Sequence, residues 1–398
     1  MKNRIIGAAA KLLFDFGLLK LWGKVPAGLR RRAVRMLVRL PARKGDVPPA
    51  MADPVFVVGL ASSHTSLGWA ARSAVAHIKS KGFSANVWNV SAHFGTDHKQ
   101  EFSAGENNDA AALDGPGTLV LCVNPNQVAY ALSSMPTNAV AGKRIIGYFV
   151  WEQEELPQSW LAASAFVDEI WAPSRFVAEA FIKAFPQKPV NLVEYDLAVP
   201  AGIKANRARF GLPAKHLVLV AANLESGIER KNLAGALAAY EQAFGDRDDV
   251  ELVIKLHGRR LDTGRRAELV NAINRGRYFL IEEELSDEDM WSLIASCDTI
   301  FSMHRAEGYG LLMKQGLLLN KRVVATGWSG NVDFMAGDER AYLVDYKLVP
   351  LSDPDGIYAS GSKARWAEPD IAHAAQLLKR ARADALHAGA SRGSGQIS

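Results

Sequence analysis

The chain has 398 residues, of which 48% are hydrophobic and 22% are charged. This length exceeds one ordinary domain and predicts two. The composition is typical of a soluble globular protein and excludes disordered and fibrous classes. Both cysteines, Cys122 and Cys297, lie in apolar strand-like runs, which favours buried free thiols over a disulfide. Histidine and cysteine show no metal-ligand spacing anywhere, so no metal site is predicted.

The net charge of +5 is distributed unevenly. Residues 1–45 contain 12 Lys and Arg and a single acid, Asp15, a local net of +11; the remainder has 35 basic and 41 acidic residues, a net of −6. The basicity therefore belongs to one segment. A slightly acidic folded body argues against nucleic acid as a partner.

Residues 1–50 form a basic extension in which apolar residues recur at helical spacing. Two amphipathic helices are predicted, one around Leu12 and Phe16 and one around Leu37. No apolar stretch approaches the roughly 20 residues of a membrane-spanning helix, and no signal-peptide pattern is present, so we expect a cytoplasmic protein. Two interpretations stay open: the extension binds an anionic membrane surface at the inner face, or it packs on the folded body.

Strand-like and helix-like segments alternate after a Pro- and Gly-rich linker at residues 41–53. This alternation predicts an α/β fold with doubly wound parallel sheets. We expect one Rossmann-like domain at residues 51–200, a second at 201–360, and a C-terminal helix and tail at 361–398. The predicted strands are Pro54–Leu60, Ala85–Val90, Thr118–Val123, Arg144–Val150, Glu169–Ala172, Val190–Glu194, Leu217–Ala222, Val250–Leu256, Tyr278–Ile281, Asp298–Ser302, Arg322–Thr326 and Ala341–Val344. The predicted helices include Ser159–Ala165, Ser174–Ala184, Asn232–Phe244, Thr263–Asn274, Asp287–Ser296 and Trp366–Ala385.

Residues 301–335 place a polar turn between two apolar strands. The strand that ends at Ser302 is followed by His-Arg-Ala-Glu-Gly-Tyr-Gly and then by a helix. Ligands of open α/β sheets bind outside the carboxyl ends of the strands, so Glu307 and the amides of residues 308–310 are expected to face a ligand. A carboxylate that accepts sugar hydroxyls beside amides that bind phosphate suits a nucleotide sugar. Alternatively, Glu307 only complements the helix dipole and the glycines only form the turn.

This turn resembles the signature of the group 1 (family 4) retaining glycosyltransferases, in which a second Glu stands eight positions after the first. Here that position is Gln315, which keeps an acceptor oxygen but loses the charge. The loop Gly327–Met335 after the next strand also resembles the family. The resemblance implies that Glu307 approaches the donor sugar and that Gln315 holds the ribose. It assigns donor binding to Gly308, Tyr309, Gly310, Leu311 and Gln315.

Arg230, Lys231 and Asn232 follow the first strand of the predicted second domain, where a loop opens into a helix. The resemblance makes Lys231 and Arg230 a diphosphate clamp, because the leaving group gains negative charge as the glycosidic bond breaks. Many family members have an Arg where this chain has Glu225, so Arg230 or Lys255 is expected to supply the second cation. A solvated surface pair is the alternative.

In the first domain, residues 147–157 and 167–177 resemble a bacterial subgroup of the same family. Trp151 and Glu152 follow a strand end and are expected on the acceptor side of the site, with a core role as the alternative for Trp151. Gly59 and Gly68 resemble the family's first loop, which approaches the donor phosphate.

Other positions in this domain depart from the family. Trp69 replaces an acid, and Asn124 stands where many members have a histidine. His64 and His93 lie in plausible loops, but neither is assigned a role.

The resemblance covers about residues 54–385 and implies two Rossmann-like domains facing a central cleft, the GT-B fold. It implies a metal-independent, cofactor-free, hexosyltransferase-like enzyme that moves a sugar from a nucleoside-diphosphate sugar to a glycan or lipid-linked acceptor. Retention of configuration and a role in cell-surface polysaccharide biosynthesis are also implied, with Glu307, Lys231 and Arg230 as the catalytic group.

The rival hypothesis is a non-catalytic binding or scaffold subunit, favoured by Gln315, Glu225 and Asn124. A dinucleotide oxidoreductase is excluded because no Gly-x-Gly-x-x-Gly follows the first strand.

Overall fold

The chain divides into two compact units, Met1–Asp196 and Leu197–Ser398. The predicted helices within residues 1–45, and most of the predicted helix Thr263–Asn274, lie outside the described residues. The structure, a computed structural model, describes residues 48–96, 113–136, 139–245, 247–257, 269–271, 273–274, 276, 278–354, 356, 358 and 364–393.

The first unit contains a parallel sheet of six strands in the order β2-β1-β3-β4-β5-β6. Its inner strands are apolar along most of their length because helices can cover both faces of a parallel sheet; all five residues of β1 are buried. The strands are β1 Val55–Gly59, β2 Ala85–Asn89, β3 Gly117–Cys122, β4 Lys143–Tyr148, β5 Glu169–Ala172 and β6 Val190–Leu192. The helices are α1 Ser66–Ser80, α2 Ser91–Phe94, α3 Val128–Leu132 and α4 Arg175–Ala184, with short 3₁₀ helices at Pro125–Gln127 and Gln158–Ala165.

The second unit contains another parallel six-stranded sheet, in the order β12-β11-β10-β7-β8-β9. The direction of winding reverses between β7 and β10, which are neighbours in the sheet although β8 and β9 lie between them in the chain. The strands are β7 His216–Asn223, β8 Val250–His257, β9 Tyr278–Ile281, β10 Thr299–Ser302, β11 Arg322–Thr326 and β12 Ala341–Val344. The helices are α5 Ile228–Lys231, α6 Leu233–Phe244, α7 Asp287–Ser296, α8 Leu311–Leu318, α9 Val332–Met335 and α10 Ile371–Gly393, with a 3₁₀ helix at Leu224–Ser226.

Apolar clusters lie on both faces of the second sheet. One contains Ala236 of α6 and Leu378 of α10, packed with strand residues such as Ile254. The other contains Leu293 of α7 and Met313 of α8. Burial on both faces holds the strand ends in place and so fixes the loops that follow them.

The predicted α/β fold class with two Rossmann-like domains is confirmed. All predicted strands are present, with bounds that differ by at most two residues at either end. Two of the helices start at a serine that caps them: Ser174 Oγ accepts from the amide of Val177 at 3.3 Å, and Ser286 Oγ accepts from that of Asp289 at 3.0 Å.

The end of the second unit differs from the prediction. Residues Arg365–Pro369 form a strand, β14, which pairs antiparallel with β13, Tyr346–Pro350. The predicted helix start at Trp366 is therefore wrong. Pro369 fixes its own backbone and disfavours a helix before it, and Asp370 Oδ1 then accepts from the amide of His373 at 3.0 Å to start α10. This helix continues to Gly393, past the predicted end at Ala385.

Cys122 and Cys297 are free and buried, as predicted. Burial raises the pKa of the Cys297 thiol to about 12, so the thiol is uncharged at neutral pH. Within the described parts of the chain, no helix is both long and apolar enough to cross a bilayer.

Candidate functional site

Two cationic side chains come from α5, which follows β7. The chain turns at Gly227, where φ is +92°, forms α5, and turns again at Asn232, where φ is +47°. Asn232 tolerates this left-handed conformation, and its Oδ1 accepts from the amide of Gly235 at 3.2 Å, so it ends α5 and caps α6. The asparagine of the Arg-Lys-Asn motif thus has a structural role. By ending α5 it holds Arg230 and Lys231 in the loop region that follows the strand.

Both cations contact the carboxylate of Glu307, which follows β10. Lys231 Nζ donates to Glu307 Oε1 at 2.5 Å, and Arg230 Nη1 donates to the same oxygen at 3.0 Å. Arg230 Nη1 also donates to the carbonyl of Ala306 at 2.8 Å. The side chains of Arg230 and Glu307 are 3% and 12% exposed. The three sequence-predicted catalytic residues therefore form one cluster at the point where the sheet changes its direction of winding, the usual ligand position in open α/β sheets.

The carboxylate of Glu307 is ionised at neutral pH. Burial alone raises a carboxyl pKa, but the fields of Lys231 and Arg230 outweigh burial and lower the pKa of Glu307 to about 2. The cluster therefore holds two positive charges and one negative charge in a largely water-excluded position.

The backbone of Glu307 is held by the loop that follows β11. Its amide donates to Ser329 Oγ at 2.7 Å, and its carbonyl accepts from the amide of Gly330 at 2.9 Å. Ser329 has φ +76°, an uncommon conformation for a residue with a side chain. The Gly327–Met335 segment, recognised in the sequence only as a second matched loop, thus fixes the position of Glu307.

His304 is fully buried and joins the same two loops. Asn331 Nδ2 donates to the carbonyl of Thr326 at 3.0 Å, which orients Asn331 Oδ1 towards His304 Nε2 at 3.0 Å. Because this oxygen only accepts, Nε2 carries the proton, and His304 Nδ1 accepts from Ser302 Oγ at 3.0 Å. Burial lowers the pKa of His304 to about 4, so the ring is neutral at pH 7.

Arg305 connects α5 to the β13–β14 hairpin. Its guanidinium binds Glu368 through Nε at 2.7 Å and Nη2 at 3.1 Å, and Nη1 donates to the carbonyl of Glu229 at 2.6 Å. Its backbone amide donates to the carbonyl of Arg230 at 2.7 Å. Arg305 therefore holds α5 in register with the loop after β10.

The residues assigned to donor binding begin α8. Gly308, Tyr309 and Gly310 are buried, and the Tyr309 ring packs against Phe334 at 5.2 Å between centroids. Gly310 has φ +98°, a conformation that residues with a side chain rarely adopt, and a Cβ there would lie 3.0 Å from Asn331 Cβ, so glycine is strongly favoured. Leu311, half-buried, and Gln315, buried, are one helical turn apart on one face of α8.

Lys255 lies at the end of β8 and is 5% exposed. Its Nζ donates to the carbonyl of Leu256 at 2.7 Å. Burial lowers the pKa of Lys255, although Glu283 and the neighbouring acids after β9 act in the opposite direction. The structure thus places Arg230, not Lys255, beside Lys231 at Glu307.

The predicted first-unit residues have packing roles. A Cβ at Gly59 would lie 2.8 Å from Ala71 Cβ, and one at Gly68 would lie 1.9 Å from the carbonyl oxygen of Ser63. Both glycines thus permit close approach of α1 to the β1 end. Trp151 is 5% exposed, donates from Nε1 to the carbonyl of Glu155 at 2.8 Å, and packs on Trp160.

Glu152, next to Trp151, is half-buried. The donor role of the two glycines and the acceptor role of Trp151 and Glu152 stay predictions. Of the unassigned histidines, His93 stacks on Tyr130 at 4.1 Å.

Sequence reasoning missed His304, Arg305, Ser329 and Asn331 as parts of the site. Their only sequence signal is position, since all four lie in the two matched loops after neighbouring strands β10 and β11. Throughout the described residues, no group of three or more His, Cys, Asp or Glu could hold a metal ion.

No model of a known protein family matches the chain, and no curated protein matches it in sequence. Solved structures do match. Anabaena Alr3699/HepE in complex with UDP-glucose is 13% identical with a TM-score of 0.54, over 85% of this chain and 99% of that one. The same protein with UDP and glucose is 14% identical with a TM-score of 0.50, over 73% and 84% of the two chains.

The N-terminal domain of Candida albicans trehalose-6-phosphate phosphatase is 10% identical with a TM-score of 0.53, over 86% of this chain and 92% of that one. At such identities the likeness shows a common fold and no more. One fold hosts many unrelated functions, so the activity of this chain depends on the residues of its own site. The chain has the fold of two Rossmann-like domains found in these structures.

Proposed function

We propose that this protein is a glycosyltransferase that moves a sugar from a nucleoside diphosphate to a glycan or lipid-linked acceptor, with retention and without a metal or cofactor. The observation that carries the proposal is the contact of Lys231 and Arg230 with Glu307 where the winding of the second sheet reverses. Cations fixed at this position suit a diphosphate, and a carboxylate beside them suits sugar hydroxyls. The complex of the similar Anabaena protein with UDP-glucose supports the same ligand class.

In this mechanism the acceptor hydroxyl attacks the anomeric carbon from the face that the diphosphate leaves. The glycosidic C–O bond breaks, its electron pair stays on the phosphate oxygen, and the acceptor's proton passes to the diphosphate. Lys231 and Arg230 stabilise the charge that develops on the leaving group, and Glu307 orients the sugar. Gln315 binds the ribose with one acceptor oxygen. The acceptor belongs to cell-surface polysaccharide synthesis and binds on the side of Trp151 and Glu152.

Calorimetry with UDP-, GDP- and dTDP-sugars tests the proposal. We expect one class to bind, and Lys231→Ala to weaken its binding by roughly tenfold or more, since a hydrogen bond to a charged group contributes about 1.5–3 kcal/mol. Lys215→Ala is the matched control. Lys215 precedes β7, at the amino ends of the parallel strands and away from the site, and it pairs with Glu251. Absence of binding to every nucleotide sugar would refute the proposal.

A non-catalytic binding subunit is the second candidate, and Gln315 favours it, because a neutral amide replaces the carboxylate that the family places there. Transfer activity separates the two. The transferase proposal expects turnover in the wild type and its loss in Glu307→Ala with the fold intact, whereas the binding subunit binds a nucleotide sugar without turnover.

A further inference from the structure

The two cations of the site are not free to neutralise a diphosphate fully, because both point at one carboxylate oxygen. Glu307 Oε1 receives Lys231 Nζ at 2.5 Å and Arg230 Nη1 at 3.0 Å. With Arg230 3% and Glu307 12% exposed, water screens these charges poorly. An anion that binds the cations therefore also meets the negative charge of Glu307.

The other groups around the carboxylate do not cancel its charge. His304 is neutral above a pKa of about 4 and uses both ring nitrogens within the loops. Arg305 binds Glu368 and the carbonyl of Glu229, and Ser329 contributes an uncharged hydroxyl to the Glu307 amide. The electrostatics at Glu307 are thus set by Lys231, Arg230 and the carboxylate itself.

A donor and its product differ in charge at the phosphate that the cations would bind. In a nucleotide sugar the terminal phosphate is esterified and carries one negative charge. After transfer that phosphate is free, and because its second pKa is about 6 it carries close to two negative charges at pH 7. The carboxylate of Glu307 repels this additional charge. The hydroxyls of an attached sugar, in contrast, can donate hydrogen bonds to the carboxylate.

We propose that Glu307 determines specificity for the intact nucleotide sugar over the nucleoside diphosphate that transfer releases, and so promotes product release. This inference rests on the function proposed above. It gives the ion pair a role in the reaction cycle, since the cations attract the donor while the carboxylate limits their hold on the more negative product.

The test is calorimetry with UDP, GDP and dTDP and with the matching sugar nucleotides, on the wild type, three variants of Glu307 and one control. Glu307→Gln and Glu307→Ala remove the charge, and Glu307→Asp keeps it. Glu339→Gln is the control for net charge. Glu339 is exposed on the turn before β12, at the amino ends of the parallel strands, whereas Glu307 lies at their carboxyl ends. Thermal melts establish that each variant is folded.

We compare the diphosphate that the wild type binds most tightly with its matching sugar nucleotide. In both neutral variants we expect the affinity for the diphosphate, relative to that for the sugar nucleotide, to rise about tenfold. Glu307→Asp and Glu339→Gln should leave the ratio near that of the wild type. At pH 5.5 the shift should shrink, because the product phosphate gains a proton below its pKa of about 6 while the carboxylate stays ionised.

The possible failures are distinguishable. If the wild type binds neither diphosphates nor nucleotide sugars, the proposed function falls and this inference with it. If the wild type binds both but the neutral variants leave the ratio unchanged, or if Glu339→Gln shifts it equally, only the inference is refuted.

Discussion

Replacing Glu307 by glutamine should destabilise the second unit in a pH-dependent way. The pKa of this carboxyl falls from 4.5 to about 2 in the folded protein because Lys231 and Arg230 outweigh the effect of burial. At about 1.4 kcal/mol for each pKa unit, the ionised side chain stabilises the fold by roughly 3 kcal/mol at pH 7. A similar value, about 3–5 kcal/mol, is typical when one partner of a buried ion pair is removed.

The sign follows from the direction of the shift. Because the folded-state pKa lies below the unfolded one, the stabilisation is complete above the unfolded value of 4.5 and is lost as the pH falls towards 2. Glu307→Gln resembles the protonated carboxyl, so its deficit relative to the wild type should be about 3 kcal/mol at pH 7 and less than half of that at about pH 3.

Urea unfolding followed by tryptophan fluorescence measures this difference, and Trp291, Trp328 and Trp366 report on the second unit. Amide exchange over residues 303–310 shows whether the loss is local. Glu339→Gln, which removes an exposed carboxylate, should change the free energy of unfolding little. Equal stability of wild type and Glu307→Gln at pH 7, or a deficit that stays constant as the pH is lowered, would refute the reasoning.

Two further predictions concern Arg305 and the basic segment at residues 1–45. Arg305→Met should lower the free energy of unfolding by about 2 kcal/mol, because Glu368 loses a partner with two hydrogen bonds and α5 loses its link to the loop after β10. Arg247→Met, which breaks an exposed ion pair, should lower the free energy of unfolding far less in the same urea titration. The charge of +11 on residues 1–45 motivates the hypothesis that this segment binds anionic vesicles, at roughly 1 kcal/mol for each basic residue near the surface. Its deletion should abolish co-sedimentation with such vesicles and leave donor binding unchanged. No sedimentation of the full chain at low salt would leave packing on the folded body as the better account.

Much of the fold could be predicted from local sequence patterns. Runs such as Val55–Gly59 and Arg322–Thr326 are rich in Val and other apolar residues and are bounded by polar turns, which indicates buried parallel strands. The β13–β14 hairpin could not be predicted in this way. Its strand at Arg365–Pro369 directly precedes a helix, and its pairing partner, Tyr346–Pro350, is separated from it by a long connection.

For the site, the sequence by itself determined where the predicted functional residues stand relative to the strands. Glu307 stands at a strand-to-helix turn with glycines, and Lys231 follows another strand, and these placements follow from chain-local rules. The sequence did not determine that Trp151 is buried against Trp160, because burial depends on which elements pack together.

Only the tertiary structure decided what these residues contact. Lys231 and Glu307 are 76 positions apart, and they meet because β7 and β10 are neighbours where the winding of the sheet reverses. The buried His304–Asn331 contact likewise joins two loops that are distant in sequence. Side-chain pairing of this kind depends on strand order, which is set by the packing of whole helices and strands, and so it leaves no periodic signal in the chain.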